Sequence, residues 1–500
     1  MDNRPSNRPR TASIHILDDD SLLHMIYLCR PFLLDEDVIA NWRYNGYWWY
    51  ALAHVCQRWR NIILRAATYL GLSLVCTYGT PVADMLAHSP PFPIVIGYFR
   101  NDRELTREDE EGIILALKQR DRVRRVRLGN AATIMQELLV TMDEEYPILE
   151  FLYIACTIED NSTILKFPET FQAPHLRYLG LHGFALPIGS QLLTTAVGLV
   201  TLHLVTVDPS TYFRPNTLLQ WISHMPHLET LIIRFEFSIP NREVERQLTK
   251  APIIAPITLP NLHHFHFRGV SSYLEALVHP IITPRLEDLR IEFFNQLTFS
   301  VPCLLQFIDA AENLTFGNVV LTFSDKLVGV GFSPRGEAKV YSLGISVLCC
   351  HRDWQVSSMA QISDSLSQIF PTVERLVFQH NVHSPSSEEH DDVDRTEWRK
   401  LLRPFSNVKT LLIQERLAED LSRCLELEDG ELPLELLPEL QDIKISGTGN
   451  AFTSFIDARR NAGRPVTLAE NGLTQVISEP PFETSAANIE DGNSWNSFDI

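Results

Sequence analysis

One spacing recurs along this 500-residue chain and limits its folds more than any other feature: apolar, two residues, apolar, one residue, apolar. It reads Leu149, Leu152, Ile154; Leu176, Leu179, Leu181; Leu199, Leu202, Leu204; and Leu228, Leu231, Ile233. It continues as Leu262, Phe265, Phe267 and Leu286, Leu289, Ile291, then after a gap as Val373, Leu376, Phe378; Val408, Leu411, Ile413; and Leu440, Ile443, Ile445. First positions lie 27, 23, 29, 34, 24, 87, 35 and 32 residues apart. A short strand points alternate side chains to one face, so each unit offers an apolar edge that it cannot bury by itself and that stacking on neighbours covers. Pro147, Pro174, Pro226, Pro260, Pro284 and Pro438 stand just ahead of these strands, where a residue without an N–H costs the ladder nothing. The interval of 87 implies degenerate repeats or an insertion, with Asn313 to Phe323 and Val340 to Leu348 as candidate strands.

Most intervals lie at or a little beyond the 20 to 29 residues of leucine-rich repeats. Ahead of them the texture is helical. Asp20 or Ser21 can cap a helix carrying Leu22, Leu23, Ile26 and Tyr27, which Pro31 interrupts. After the aromatic run NWRYNGYWWY, the positions Leu52, Val55, Cys56, Trp59, Ile62 and Ile63 recur at steps of three and four, as on one amphipathic helix. The result is a module of about 60 residues, marginal by itself. Two acidic stretches read as solvated: Ser384 to Glu397, a long loop, and the tail from about Glu479 to Ile500.

Composition excludes several functions. With Lys+Arg 43 against Asp+Glu 62 and a net charge of −19, binding nucleic acid by phosphate neutralisation is disfavoured, and 45% hydrophobic residues exclude a mainly disordered chain. Eight cysteines without a CxxC pair point to a reducing, intracellular compartment, cytoplasmic or nuclear. Cys349 and Cys350 read as core and near-core thiols. The start, MDNRPSNRPR, is followed by no apolar stretch, so a secretory signal is not expected, and the uncharged stretch Tyr178 to Val207 is too polar for a membrane span. Protein partners are therefore expected, with no nucleic acid and no membrane. No GxGxxG, P-loop, GxSxG or HExxH string occurs, so neither a catalytic residue nor a cofactor is expected. His263, His264 and His266 cluster, but no carboxylate or Cys lies nearby at ligand spacing, and no metal site is assigned.

Three segments carry a resemblance. Ile16 and Leu17 precede an acidic turn and LLHMIYLC; ALAHVCQRWRNIIL holds Val55, Cys56, Trp59, Arg60 and Ile62 in the order V-C-x-x-W-R-x-I; and FIDARRNAGRPVTL spans Phe455 to Leu468. Together they resemble the F-box and leucine-rich-repeat proteins abundant in mushroom-forming (basidiomycete) fungi. Where that family opens Leu-Pro-x-Glu, this chain has Leu17, Asp18, Asp19, Asp20, and an insertion of roughly Asp35 to Tyr50 separates the helices. The resemblance implies an α/β chain: a short N-terminal helical F-box over 13–75, an irregular leucine-rich-repeat solenoid (horseshoe) over 76–470, and an acidic tail over 471–500. It implies a non-enzymatic substrate receptor of an SCF-type ubiquitin ligase, docking on a Skp-family adaptor held by a cullin scaffold while the repeats select a protein substrate.

An adaptor needs an apolar helical surface. Leu17, Leu22, Leu23, Ile26, Leu52, Val55, Trp59 and Ile62 are the candidates, Leu17 and Leu22 the foremost, although any of them can equally close the module's own core. On the repeats, residues between consensus positions face the open, concave side: His182, His203, Arg234, His264, His266, Arg268, Asp288, Arg290, Glu292 and Gln379. His and Arg outnumber acids there, which suits an acidic or phosphorylated ligand; ordinary solvated strand residues explain the row equally well. The rival reading is a repeat scaffold without ubiquitin function, whose helices bind something else or cap the array.

Overall fold

The computed structural model describes residues 17–30, 48–99, 105–157, 165–187, 189–206, 213–236, 255–335, 341–381, 393–427, 432, 434–446 and 449–470. The acidic tail and most of the acidic loop and of the inter-helix insertion lie outside them. Two compact units divide the chain: Met1–Thr157 with Thr170–Pro174, and Ile158–Glu169 with His175–Ile500.

The first unit begins with α1 (Asp19–Leu28), α2 (Trp48–Ala53), α3 (Gln57–Arg65) and α4 (Ala67–Leu70). Asp18, rather than Asp20 or Ser21, caps α1: its carboxylate accepts the Ser21 N–H at 2.7 Å, which places both later acids in the first turn, where the helix dipole favours them. The expected single helix over 52–63 is two. The chain turns at His54–Cys56, Cys56 is extended, and the Arg60 guanidinium donates to the Ala53 carbonyl at 3.2 Å, meeting an oxygen that the break exposes. Gly71, at φ 64, ends α4 in a left-handed conformation that favours glycine.

The helices share this unit with four parallel strands, β1 (Leu74–Cys76), β2 (Ile94–Tyr98), β3 (Val123–Ala131) and β4 (Phe151–Thr157). Between them run α5 (Val82–His88), α6 (Arg107–Leu117) and α7 (Ala132–Thr141). Helices and strands on both sides of residue 75 thus belong to the first compact unit. Trp49 of α2 packs edge-on against Phe92 at 5.8 Å, and both rings are buried, so the small module borrows its core from the first strands. Strand β3 also carries an overlooked copy of the repeat spacing, Val123, Val126 and Leu128, all buried.

The second unit alternates strands and helices: β5 (Tyr178–His182), α8 (Gln191–Thr195), β6 (Thr201–Thr206), α9 (Pro215–Ile222), β7 (Thr230–Phe235), β8 (His264–Gly269), α10 (Ser271–Val278), β9 (Asp288–Phe294) and α11 (Pro302–Asp309). Then come β10 (Asn318–Ser324), β11 (Leu327–Ser333), β12 (Leu343–Leu348), α12 (Arg352–Ser365), β13 (Arg375–Asn381), α13 (Arg395–Leu402), β14 (Thr410–Gln414), α14 (Glu415–Leu425), β15 (Asp442–Ser446), α15 (Thr453–Asn461) and β16 (Thr467–Glu470). Every consensus residue named above is buried, none above 3% exposed. At about 2 kcal/mol for a fully buried Leu or Ile, these rows dominate the attraction between neighbours.

The gap of 87 is an insertion that reorders the sheet. Spatially the strands run β9-β12-β11-β10-β13: β12 pairs parallel with β9, β10 parallel with β13, and β11 lies antiparallel to both β10 and β12. Both candidate segments are strands, but in reverse spatial order. The Ser324 hydroxyl accepts the Leu327 N–H at 3.2 Å in the β10–β11 turn. Gln355 of α12, 1% exposed, donates to the carbonyls of Ser324 and Cys349 at 2.8 Å each, tying that turn to the end of β12. Cys349 is buried while Cys350, expected near the core, is exposed, since adjacent strand-end residues point oppositely. The solvated reading of 384–397 also ends too late: Asp394 caps α13, accepting the Thr396 N–H at 2.9 Å. The uncharged stretch from Tyr178 forms strands, and among the described residues no helix is long and apolar enough to cross a membrane.

Within the segment Phe455 to Leu468, Arg459 is fully buried. Its Nη2 donates to the carbonyls of Pro438 and Leu440 at 3.0 and 3.2 Å, and its guanidinium lies 5.9 Å from the Phe455 ring centre. Charged hydrogen bonds of this kind contribute about 1.5–3 kcal/mol each. Arg459→Met is therefore expected to loosen the last two strands. Native-state hydrogen exchange should show Asp442–Ser446 and Thr467–Glu470 exchanging at least about 30-fold faster, with β6–β8 unchanged.

Candidate functional site

Since the consensus residues turn toward the helices, the alternate residues of each strand in the second unit face the other way, here termed the front face. Phe265 and Phe267 of β8 are core, so His264, His266 and Arg268 stand on the front. Registration then assembles the site. Arg268 lies between Arg234 of β7 and Glu292 of β9; His266 between Ile232 and Arg290; and His264 between Thr230 and Asp288. His203 of β6 flanks Ile232 on its other side, and His182 of β5 pairs with Val205, itself the neighbour of Arg234.

Nine of the ten residues expected on the open face therefore form one group: His182, His203, Arg234, His264, His266, Arg268, Asp288, Arg290 and Glu292. Gln379 does not join them. It lies on β13, four strands beyond β9, roughly 19 Å away at 4.8 Å per strand, and it is only 3% exposed. Arg234 and Arg268 are also buried, at 4% and 6%.

The expected excess of positive charge is largely cancelled. Arg268 Nε lies 3.2 Å from Glu292 Oε1, and its Nη1 lies 3.6 Å from Glu236 Oε2. Glu236 Oε1 is also 4.0 Å from Arg234 Nη2. Arg290 Nε donates to Asp288 Oδ1 at 2.7 Å and its Nη2 to the Tyr341 carbonyl at 3.0 Å. Glu236 was overlooked because it follows the last residue of β7, outside the repeat consensus. Carboxylates also reach the histidine cluster from the neighbouring repeat, with His263 Nδ1 3.5 Å from Glu287 and His264 Nδ1 3.9 Å from Asp288. Local spacing could not show partners 24 residues away. Among the described residues no group of three or more His, Cys, Asp or Glu could hold a metal ion.

Nor do three of the histidines supply charge at neutral pH. Burial lowers the His182 pKa, which Glu236 opposes and Arg234 reinforces. Burial, Arg234 and His182 push His203 down to about 3. Burial, then Arg234, His203, Arg290 and Arg268, hold His266 well below the usual range. His264 moves upward, chiefly through its pairing with the Asp288 carboxylate. What remains is a set of neutral imidazoles around a compensated network of arginines and acids.

On the adaptor side, the helical module buries Leu22 and Ile26 at 1% and Ile62 at 8% exposure, so these three close its own core. Leu22, one of the two foremost candidates, is thereby removed from the contact surface, because it lies on the side of α1 that packs on α3. Leu17, Leu23, Leu52 and Trp59 are half-buried and Val55 is exposed. Arg58 anchors the start of α1, donating from Nη2 to the Leu17 carbonyl at 2.7 Å and pairing with Asp19 at 2.6 Å. The first unit also has a front-face group absent from the sequence reading. The Arg127 guanidinium sits 4.4 Å from the Phe99 ring centre and 5.6 Å from that of Tyr153. The spacing Val123, Val126, Leu128 was the signal for it.

Stacked parallel strands with buried apolar spines make this a mixed α/β protein of leucine-rich-repeat character. No family model matches the chain, and no curated protein matches it. Among solved structures it is similar to TLR13 in a TLR13–ssRNA13 complex, at 12% identity and a TM-score of 0.28, over 79% of this chain and 48% of that one. It is also similar to the leucine-rich repeat-containing protein LegL7 from Legionella pneumophila, at 10% identity and a TM-score of 0.24, over 79% and 99%. The chain thus spans about half the length of the TLR13 chain it matches. Neither score carries a functional conclusion, and the fold stands on its own strand pairing and burial.

The depressed histidines set a pH dependence. A base whose folded pKa is lowered binds fewer protons in the native state, so its contribution is complete above the unfolded pKa near 6.5 and is lost as pH falls below it. For His203 the loss continues to about pH 3. Each such group contributes a slope of up to about 1.4 kcal/mol per pH unit. Denaturant unfolding at pH 7.5 and pH 5 should show the parent chain weaker at pH 5, and His203→Gln should reduce the difference by roughly 1–2 kcal/mol.

Proposed function

We propose that this protein is a non-enzymatic, intracellular adaptor: an F-box-type helical module docks on a Skp-family adaptor held by a cullin scaffold, and the leucine-rich repeats bind a protein to be ubiquitylated. The supporting observation is where apolar surface stays exposed. Of the fifteen large apolar side chains exposed among the described residues, six belong to the short helical module: Met25, Tyr27, Leu28, Tyr50, Val55 and Tyr69. Tyr27 and Tyr69 lie with ring centres 5.2 Å apart, joining α1 to α4. A module that already has a core in Leu22, Ile26, Trp49, Ile62 and Ile63 has no folding need to keep six large apolar side chains exposed, and apolar surface concentrated on so small a unit suits a binding surface. The V-C-x-x-W-R-x-I resemblance is what favours a Skp-family adaptor as the partner. The chemistry of transfer then belongs to other subunits, and the front face of the repeats supplies selection.

Without that partner the same patch fits a plain interaction scaffold, so the two readings separate experimentally. The full chain is expected to co-purify with a Skp-family adaptor. Leu23→Asp and Val55→Asp should lower its affinity at least about 30-fold, as loss of contact residues at an interface centre does, with unfolding temperature unchanged. Leu22→Asp should instead unfold the module. A folded parent chain that captures no adaptor sinks the receptor reading and leaves the scaffold.

A further inference from the structure

The reordered strands also change the helical side of the second unit. Among the described residues β10, β11 and β12 bring a single helix, α12, which packs against β11 and β12. The segment ahead of α11 ties the two helices together: Gln361 accepts the Phe299 N–H at 3.0 Å and donates to the Leu297 carbonyl at 3.4 Å, and the Ser365 hydroxyl donates to the Phe299 carbonyl at 3.5 Å. Beside this tie a cleft of about 420 Å³ opens, lined by Leu305, Gln306 and Asp309 on one stripe of α11 and by Ser365 and Gln368 at the end of α12. Leu297, at 80% the most exposed large apolar side chain among the described residues, stands at the level of Gln361. Trp354, 43% exposed, lies seven residues ahead of Gln361 on the same side of α12. The charges here are acidic. Asp309 ends α11, Asp364 stands one residue from the end of α12, neither helix has a basic residue in its last turn, and neither carboxylate has an ion-pair partner among the described residues. The one basic residue of α12, Arg352, turns to the core, its guanidinium 5.2 Å from the ring centre of buried Phe323. An acid in the last turn opposes the helix dipole, so both carboxylates weaken the helices that carry them. Placement that disfavours the fold suits a site at which a cation arrives.

We propose that this cleft is a second docking surface, on the helical side of the repeats, for a basic amphipathic helix of a protein partner. Apolar side chains of that helix pack on Leu297, Leu305 and Trp354, and its lysines or arginines meet Asp309 and Asp364. Shape and charge together select this occupant. The strip from Trp354 to Gln368 runs roughly 20 Å at 1.5 Å per residue, the length of a helix of about 14 residues, and it carries apolar groups along one side, as a groove for a helix does. An extended peptide has no strand edge to join here, since β10, β11 and β12 are each paired on both sides. An acidic segment is repelled, whereas cations at Asp309 and Asp364 complete both helix ends. The surface is independent of the front face and of adaptor docking, and goes beyond the receptor reading.

The test uses the full chain and two probes, a helical peptide of about 14 residues with leucine along one stripe and lysine elsewhere, and its counterpart with glutamate in place of lysine. Titration calorimetry and thermal unfolding are the readouts. The lysine peptide should bind at least about ten-fold more tightly than the glutamate peptide. Acids elsewhere on a chain of net charge −19 attract lysine too, so substitutions locate the site. Leu297→Ser should weaken the lysine peptide about ten-fold or more. The double variant Asp309→Asn, Asp364→Asn should do the same while its unfolding temperature stays equal or rises, because the anions at the helix ends are gone. A lower unfolding temperature in the double variant, equal binding of the two peptides, or lysine-peptide binding indifferent to Leu297→Ser overturns the proposal. So does a parent chain that binds no peptide but self-associates through Leu297, which assigns the cleft to a second copy. Adaptor capture by these variants should match the parent in every case, which keeps failure here distinct from failure of the receptor reading.

Discussion

Everything in the second unit depends on a strand too short to be stable without its neighbours. Five or six residues with two or three inward apolar side chains bury little unless the same pattern continues on both sides. The spines at Leu231 and Ile233, Phe265 and Phe267, and Leu289 and Ile291 form such a run, residue beside residue in register. That registration also builds the front face. A one-residue slip would move the phenylalanines of β8 to the front and bury its histidines, so the spine that stabilises the sheet also aligns Arg234, Arg268 and Glu292.

The front face shows how a sequence-level charge count differs from a local one. His182, His203, Arg234, His266, Arg268 and Arg290 look basic when read along the chain. In the sheet, burial keeps three imidazoles neutral, and the arginines meet Glu236, Asp288 and Glu292. Recognition on such a surface depends on geometry more than on bulk attraction.

The repeats were legible because their signal is periodic and every consensus position must be buried. The strands β5 to β9 and β13 to β15 followed from that signal. What escaped had other causes. Val123, Val126 and Leu128 were passed over because VRRVRLG is crowded with arginine, although the arginines face away from the core. The division of the expected helix at His54–Cys56 has no glycine or proline to announce it and depends on Arg60 reaching the Ala53 carbonyl. Burial of Leu22 and Ile26 rather than their exposure is decided by α3, 39 or so residues away in the chain. Among the repeat-face residues the strand alternation placed nine of ten together, and the miss, Gln379, came from the reordered strands, which put four strand steps between it and β9.

That reordering has a consequence for how the chain assembles. A repeat array in simple order can grow by adding each new strand to the one before it. Here β9 meets β12, whose Leu343 pairs with Leu289 across 54 residues, so the next strand in the sheet is not the next strand in the chain. Strands β10, β11 and β12 pair with one another antiparallel over short separations, and meet β9 through one edge and β13 through the other. The seam at β12–β11–β10 therefore concentrates long-range pairing in the middle of the second unit, where loop closure costs most.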